Sequence, residues 1–284
     1  MYTTLIDAAT VARHVDDPGW VILDCRHDLL APALGRAGFA AGHLPGAQFA
    51  SIDDDLSGPK QPAGGTFTGR HPLPERAALI AALRRFGIDD GTQVVAYDAH
   101  GGMYAARLWW LLRWIGHDAV AVLDGGMAAW EAAGQPLTTD TAPRAAGTIT
   151  ERPPLTRTVT VDDIVANLAT QAFTVVDARA GDRFRGENET IDPVGGHIPG
   201  AQNRFFKDNL GADGRFKSAA QLKGEFAPLF AAPENAVMQC GSGVTACHNL
   251  LALEVAGLPG AALYPGSWSE WCAVPERPVA TGSV

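Results

Sequence analysis

Val21-Ile22-Leu23-Asp24-Cys25-Arg26 returns later in the chain as Thr174-Val175-Val176-Asp177-Ala178-Arg179, and Gly42-His43-Leu44-Pro45-Gly46-Ala47 returns as Gly196-His197-Ile198-Pro199-Gly200-Ala201. The order of the two segments is kept, which marks a duplicated domain. Further out, Val94-Val95-Ala96-Tyr97-Asp98 aligns with the run that ends in Cys240. Val122-Leu123-Asp124-Gly125-Gly126 aligns with Leu263-Tyr264-Pro265-Gly266-Ser267, each followed by a tryptophan, Trp130 and Trp271. Each copy alternates short Val/Ile/Leu-rich runs with helical patterns. The fold class is therefore α/β, with two tandem domains that each carry a central, mainly parallel sheet and helices on both faces.

One helix is legible in detail. Pro74-Glu75-Arg76 suits a first turn, Leu79, Ile80, Leu83 and Phe86 share a face, and Gly87 suits the position just past the end. Its counterpart is expected to start near Ser218. The stretch from Thr138 to Pro154 is rich in Thr, Ala, Pro and Gly and has no periodicity. The expected boundaries are a first domain over 1–140, a linker over 141–155 and a second domain over 156–284.

The 284 residues, 46% hydrophobic, suffice for one large domain or two ordinary ones. A formal net charge of -9 with no basic run argues against a general nucleic-acid binder. Neither end has a membrane-length apolar run, and the first residues lack the pattern of a secretory signal, so a soluble, cytoplasmic protein is expected. Four cysteines, Cys25, Cys240, Cys247 and Cys272, do not make a disulfide framework in a chain this long.

The chemistry points to Cys240. It ends the apolar run Ala236-Val237-Met238-Gln239 and opens Gly241-Ser242-Gly243-Val244-Thr245-Ala246, after which the pattern is helical. Two glycines let the main chain curl so that successive N–H groups face inward, and the helix N-terminus adds partial positive charge. Such a nest favours a thiolate or persulfide anion over a neutral thiol. A buried, inert cysteine at a strand end is the plain alternative. The first copy carries Asp98 at this position, with Ala99-His100-Gly101-Gly102-Met103-Tyr104 as its loop. A carboxylate cannot carry a transferable sulfur, so the first copy is expected to be inert at its own loop.

The loop also fits G-x-G-x-x-A between a strand and a helix, the dinucleotide fingerprint. That fingerprint requires an acidic residue at the end of the next strand, where this chain reads Pro265-Gly266-Ser267. A cysteine phosphatase would need an arginine at the place of Ala246. Cys240, Cys247 and His248 lack the spacing of a structural zinc site. No metal or organic cofactor is expected, and Cys247 reads as a helix-core residue, with a regulatory disulfide to Cys240 as the alternative.

Taken together, the Asp-Cys-Arg and Asp-Ala-Arg strand ends, both Gly-His-(Leu/Ile)-Pro-Gly-Ala segments, the cysteine loop and Gly266-Ser267-Trp268-Ser269-Glu270-Trp271 resemble the two-domain rhodanese-like sulfurtransferases over nearly the full chain. In that family the second half is catalytic and the first carries Asp where the nucleophile would be. The loop is similar to that of the 3-mercaptopyruvate sulfurtransferases, whereas thiosulfate enzymes of this type place Arg and Lys directly after the cysteine. A dianionic donor gains from cations beside the sulfur, while a keto acid wants hydrogen bonds at its carbonyl and a cation at its carboxylate.

The resemblance implies Cys240 as nucleophile, a Ser242–His71–Asp53 proton relay, donor contacts from the loop residues Gly241, Gly243, Val244 and Thr245, and Arg183 on the donor carboxylate. Without it, His71 reads as a surface histidine and Asp53 as part of a solvated acidic run. It also implies a small-molecule donor, 3-mercaptopyruvate or thiosulfate, and a thiophilic acceptor such as cyanide, a thiol or thioredoxin. Mercaptopyruvate enzymes carry a second arginine about nine positions after the first. Here that place is Asp192, so the clamp is weaker or is built differently, with Arg204 as the candidate, and thiosulfate stays open as a donor. Arg26 and Arg179 are expected to pair with nearby carboxylates, and His43 and His197 to bond backbone in their Pro-Gly turns.

Overall fold

Runs of Val, Ile and Ala with no polar face become central strands of parallel sheets, because only strands covered by helices on both sides can bury every residue. In the first half the central strands are β2 (Trp20–Asp24), β4 (Gln93–Tyr97) and β5 (Val120–Leu123), flanked by the short edge strands β1 (Leu5–Ile6) and β3 (Gln48–Phe49), in the order β1-β5-β4-β2-β3, all parallel. The helices are α1 (Ala8–Ala12), α2 (Ala33–Ala41), α3 (Arg76–Arg85), α4 (Ala105–Trp114) and α5 (Gly126–Ala132). The second half repeats the plan. Strands β6 (Arg157–Thr158), β7 (Thr174–Asp177), β8 (Gln202–Asn203), β9 (Ala236–Gln239) and β10 (Ala262–Leu263) run β6-β10-β9-β7-β8, again all parallel. Helices α6 (Val161–Thr170), α7 (Gly181–Arg185), α8 (Ala219–Phe226), α9 (Thr245–Val255) and α10 (Ser267–Trp271) cover them.

The computed structural model describes residues 1–62, 65–141 and 143–283. They divide into two units, which are not simply the chain before and after the expected linker. Met1–Ser57, Pro74–Leu155 and Ala212–Phe216 form the first, and Gly58–Leu73, Thr156–Gly211 and Lys217–Val284 the second. Position 142, inside the expected linker, lies outside the described residues. The rest of 141–155 is not a free spacer. It belongs to the first unit, where the N–H of Gly147 donates to the Arg84 carbonyl at 2.8 Å, that of Ile149 to the Ile88 carbonyl at 3.0 Å, and Ile149 is fully buried.

Helix α3 spans Arg76–Arg85 with Leu79 and Leu83 buried, and Gly87 follows at φ 76°. Helix α8 begins after Ser218, whose hydroxyl and Gln221 form a capping box. The repeated arginines are scaffold. Arg26 grips Asp24 through Nε and a terminal nitrogen at 2.9 and 2.6 Å, and Arg179 grips Asp177 in the same way at 3.0 and 2.6 Å. His43 bonds the Phe39 carbonyl and His197 the Phe184 carbonyl, each at 2.8 Å, with the imidazole stacked on the same phenylalanine. No helix among the described residues is long and apolar enough to cross a membrane.

Candidate functional site

The second unit places Cys240 one residue beyond β9, with 1% of its surface exposed. Its peptide N–H donates to Ser267 Oγ at 3.1 Å, and Ser267 Oγ donates to the Tyr264 carbonyl at 2.9 Å. Ser267 is fully buried and adopts a left-handed φ of 55°, a conformation that a non-glycine residue keeps only when its surroundings hold it. The carbonyls of Cys240 and Gly241 accept from the N–H groups of Trp268 and Ser269, both at 2.9 Å. Across a trans peptide the next N–H points opposite to the carbonyl, so the first turn of α10 turns the amides of Gly241 and Ser242 to the other side of the chain. The N–H of Gly243 donates to Cys240 Sγ at 3.2 Å. The sulfur therefore meets a main-chain dipole rather than hydrocarbon alone.

Space requires a glycine at 243, and the arginines lie close at 241. Gly243 has φ 76°, and a Cβ there would lie 2.4 Å from the Pro265 carbonyl oxygen. A Cβ on Gly241 would lie 2.7 Å from a terminal nitrogen of Arg70 and 3.7 Å from one of Arg183. Gly243→Ala is expected to cost about 3 kcal/mol and to abolish sulfur loading. Chemical denaturation and the intact mass after donor treatment test it, and a variant that loads normally refutes the tight-turn argument.

The first unit holds the same loop in filled form. Asp98, fully buried, accepts the N–H groups of His100 and Gly102 on one carboxylate oxygen at 2.8 and 2.9 Å. Its other oxygen accepts those of Tyr104 and Ala105 at 2.8 and 3.0 Å. An anion surrounded by four amides at a helix start is the arrangement read from the glycine-rich pattern, here occupied by the protein's own side chain.

His71 is not a surface histidine. It belongs to the second unit with 4% of its surface exposed, and its Nδ1 lies 2.7 Å from Ser242 Oγ, so the two share a hydrogen bond. Asp53 belongs to the first unit, where its Oδ2 lies 3.9 Å from His27 Nε2. Val244 caps α9 and is buried, and Thr245, half-buried, opens the helix.

Arg183 faces the loop but is held by acids. Its Nε and one terminal nitrogen donate to Glu189 at 2.9 Å each, and that terminal nitrogen also reaches Asp192 Oδ2 at 3.2 Å. Arg204 is elsewhere engaged. It donates to Glu225 at 2.5 Å and Asn209 at 3.1 Å, with its guanidinium 5.1 Å from the Phe226 ring centre. The cation that joins Arg183 at the loop is instead Arg70, which sequence reasoning missed although it directly precedes His71. The Arg70 N–H donates to Ser269 Oγ at 3.1 Å, and its guanidinium pairs with Asp192. Burial lowers the Arg70 pKa from its ordinary value; the Cys240 sulfur opposes this and the Arg183 charge adds to it.

None of the four cysteines is in a disulfide. Burial pushes Cys25 well above the ordinary thiol range, assisted by Asp24 and Asp98, and burial also raises Cys272. Cys247 Sγ donates to the Gly243 carbonyl at 3.3 Å from within α9.

Two parallel-sheet units, one with a cysteine loop and one with the same loop filled by aspartate, define a tandem protein built to hold an anion at a strand end. A model of the rhodanese-like domain matches residues 7–133 and 160–274. The chain belongs to the rhodanese-like family, and within it is a sulfurtransferase. It is 47% identical over 281 residues, 98% of each chain, to a probable 3-mercaptopyruvate sulfurtransferase of Pseudomonas aeruginosa. It is 40% identical, over 98% of this chain and 97% of the relative, to a putative thiosulfate sulfurtransferase, SseB, of Mycobacterium tuberculosis. Among solved structures it is similar to the 3-mercaptopyruvate sulfurtransferase from Leishmania major. That match has a TM-score of 0.83 at 32% identity, covering 97% of this chain and 75% of the other.

Proposed function

We propose that Cys240 takes the sulfur of 3-mercaptopyruvate as a persulfide and passes it to a thiophilic acceptor. The carrying observation is Asp98. Its carboxylate oxygens lie three bonds from Cα, as would the outer sulfur of a persulfide on Cys240, and four amides converge on those oxygens. The first loop thus displays an anion of persulfide reach in the cradle that the second loop would offer to sulfur. The Cys240 thiolate forms an S–S bond to the donor sulfur, the donor C–S bond breaks, and its electron pair passes to carbon as the enolate of pyruvate. The donor's thiol proton is transferred to that carbon, so pyruvate leaves and a persulfide anion remains. Ser242 and His71 hold and relay that proton; Asp53 is assigned to the relay by resemblance alone. Cyanide, a small thiol or thioredoxin then attacks the outer sulfur and restores Cys240.

Loop residues Gly241, Gly243, Val244 and Thr245 supply the donor-facing backbone, and Arg183 the carboxylate contact. Four cysteines outside any disulfide fit a reducing, cytoplasmic setting. The test is intact mass after donor treatment together with turnover to cyanide. One sulfur on Cys240 and ping-pong kinetics are expected, and the absence of added sulfur overturns the proposal.

Thiosulfate is the second reading, because two guanidinium groups reach the loop even though carboxylates balance their charge. Its leaving group, sulfite, departs without a proton. Ser242→Ala and His71→Gln are therefore expected to slow pyruvate release by about 10²- to 10³-fold with little change in KM, and to slow sulfur loading from thiosulfate far less. Single-turnover measurements with both donors check this. Equal losses for the two donors would refute a proton role.

A further inference from the structure

We infer that Asp192 is a specificity-determining residue that selects the sulfur donor by charge. The inference rests on the reading that Cys240 accepts sulfur from an anionic donor. Arg70 and Arg183 bring their guanidinium groups to Gly241, beside the reacting sulfur. Asp192 touches both of them, one carboxylate oxygen on Arg70 and the other on Arg183. Its side chain is 2% exposed, against 22% for Arg70 and 19% for Arg183. The acid is thus fixed behind the pair while the guanidinium groups keep an open face.

The remaining partners make the balance complete. Glu189 takes the fork of Arg183 and lies 3.5 Å from Arg179, which is itself bound to Asp177. Three guanidinium groups face three carboxylates, and the cluster has no net charge. A singly charged keto acid then enters a neutral site whose hydrogen-bond donors remain directed at it. A dianion brings one charge more, against the negative Cys240 sulfur and with no surplus cation to meet it. A cavity of about 270 Å³ lies against the Arg70–Asp192 pair, walled also by Phe67, Ile191, Pro193 and Ser269. Ser269 ties that wall to the loop through its bond to the Gly241 carbonyl.

The experiment measures kcat/KM for mercaptopyruvate and thiosulfate in the full chain. Asp192→Asn keeps the shape and one acceptor but removes the charge. It is expected to raise kcat/KM for thiosulfate about tenfold and to change that for mercaptopyruvate by less than about threefold, the size of one partly screened charge near the donor. Arg70→Gln should shift the donor ratio in the opposite direction, and the double variant, neutral again, should return it to within about threefold of wild type. Asp192→Glu, which keeps the charge on a longer arm, should keep the wild-type ratio, whereas a purely structural role would be disturbed by the added methylene. An Asp192→Asn ratio within about twofold of wild type, or a double variant that does not compensate, overturns the inference while leaving the persulfide reading intact. A wild-type chain that loads sulfur from neither donor takes that reading down and this inference with it.

Discussion

Cys240→Ser is expected to lose sulfur transfer by at least about 10⁴-fold and to gain no sulfur mass from either donor, because a hydroxyl neither attacks sulfur as a thiolate does nor forms a persulfide. No other thiol is placed to substitute. Cys25 and Cys272 are pushed toward the neutral thiol by burial, and Cys247 is fully buried with its hydrogen on the Gly243 carbonyl. The fold should survive, since serine oxygen can accept the Gly243 N–H and the Ser267, Trp268 and Ser269 bonds to this turn are made by other groups. Unfolding free energy within about 1 kcal/mol of wild type, measured beside the lost activity, would separate chemistry from collapse. More than about 1% residual turnover in a preparation free of wild-type protein would show that another group carries the sulfur.

The second large effect falls on stability, in the unit that lacks the nucleophile. Asp98→Asn is expected to destabilise the first unit by about 3 kcal/mol. The asparagine oxygen can satisfy at most two of the four amides now bonded to the carboxylate, and its NH₂ group would face the remaining donors. The loss of negative charge at the start of α4 adds to the penalty. Because two units need not unfold together, a single global midpoint is a poor readout. Hydrogen exchange at the amides of His100, Gly102, Tyr104 and Ala105 is the direct one, and protection unchanged from wild type would refute the filled-cradle account.

The sequence carried the duplication, and with it the fold, in local signals. The buried character of Val94-Val95-Ala96 and Ala236-Val237-Met238 follows from composition. The start of α8 follows from Ser218 and Gln221, and the end of α3 from Gly87. Cys240 was legible for the same reason, since two glycines after a strand can do little else than curl the backbone around the side chain that precedes them. His71 was legible only through the family resemblance, and Arg70 was not singled out at all. Their segment, Gly58–Leu73, belongs to the second unit although it precedes the linker, and no periodicity in an irregular stretch reports where it docks. The same limit explains Arg204, the expected second cation of the clamp, which is bound to Glu225.

By itself, then, the sequence determined a duplicated α/β chain with one sulfur-bearing loop and one aspartate copy, because repeats, strand composition and turn glycines are properties of neighbours along the chain. The tertiary structure alone decided that Ser267 clamps the Cys240 turn and that Arg70 rather than Arg204 joins Arg183 with Asp192 between them. Those are contacts between residues far apart in sequence. Their charges and hydrogen bonds depend on distances of a few ångströms that only the packed backbone establishes.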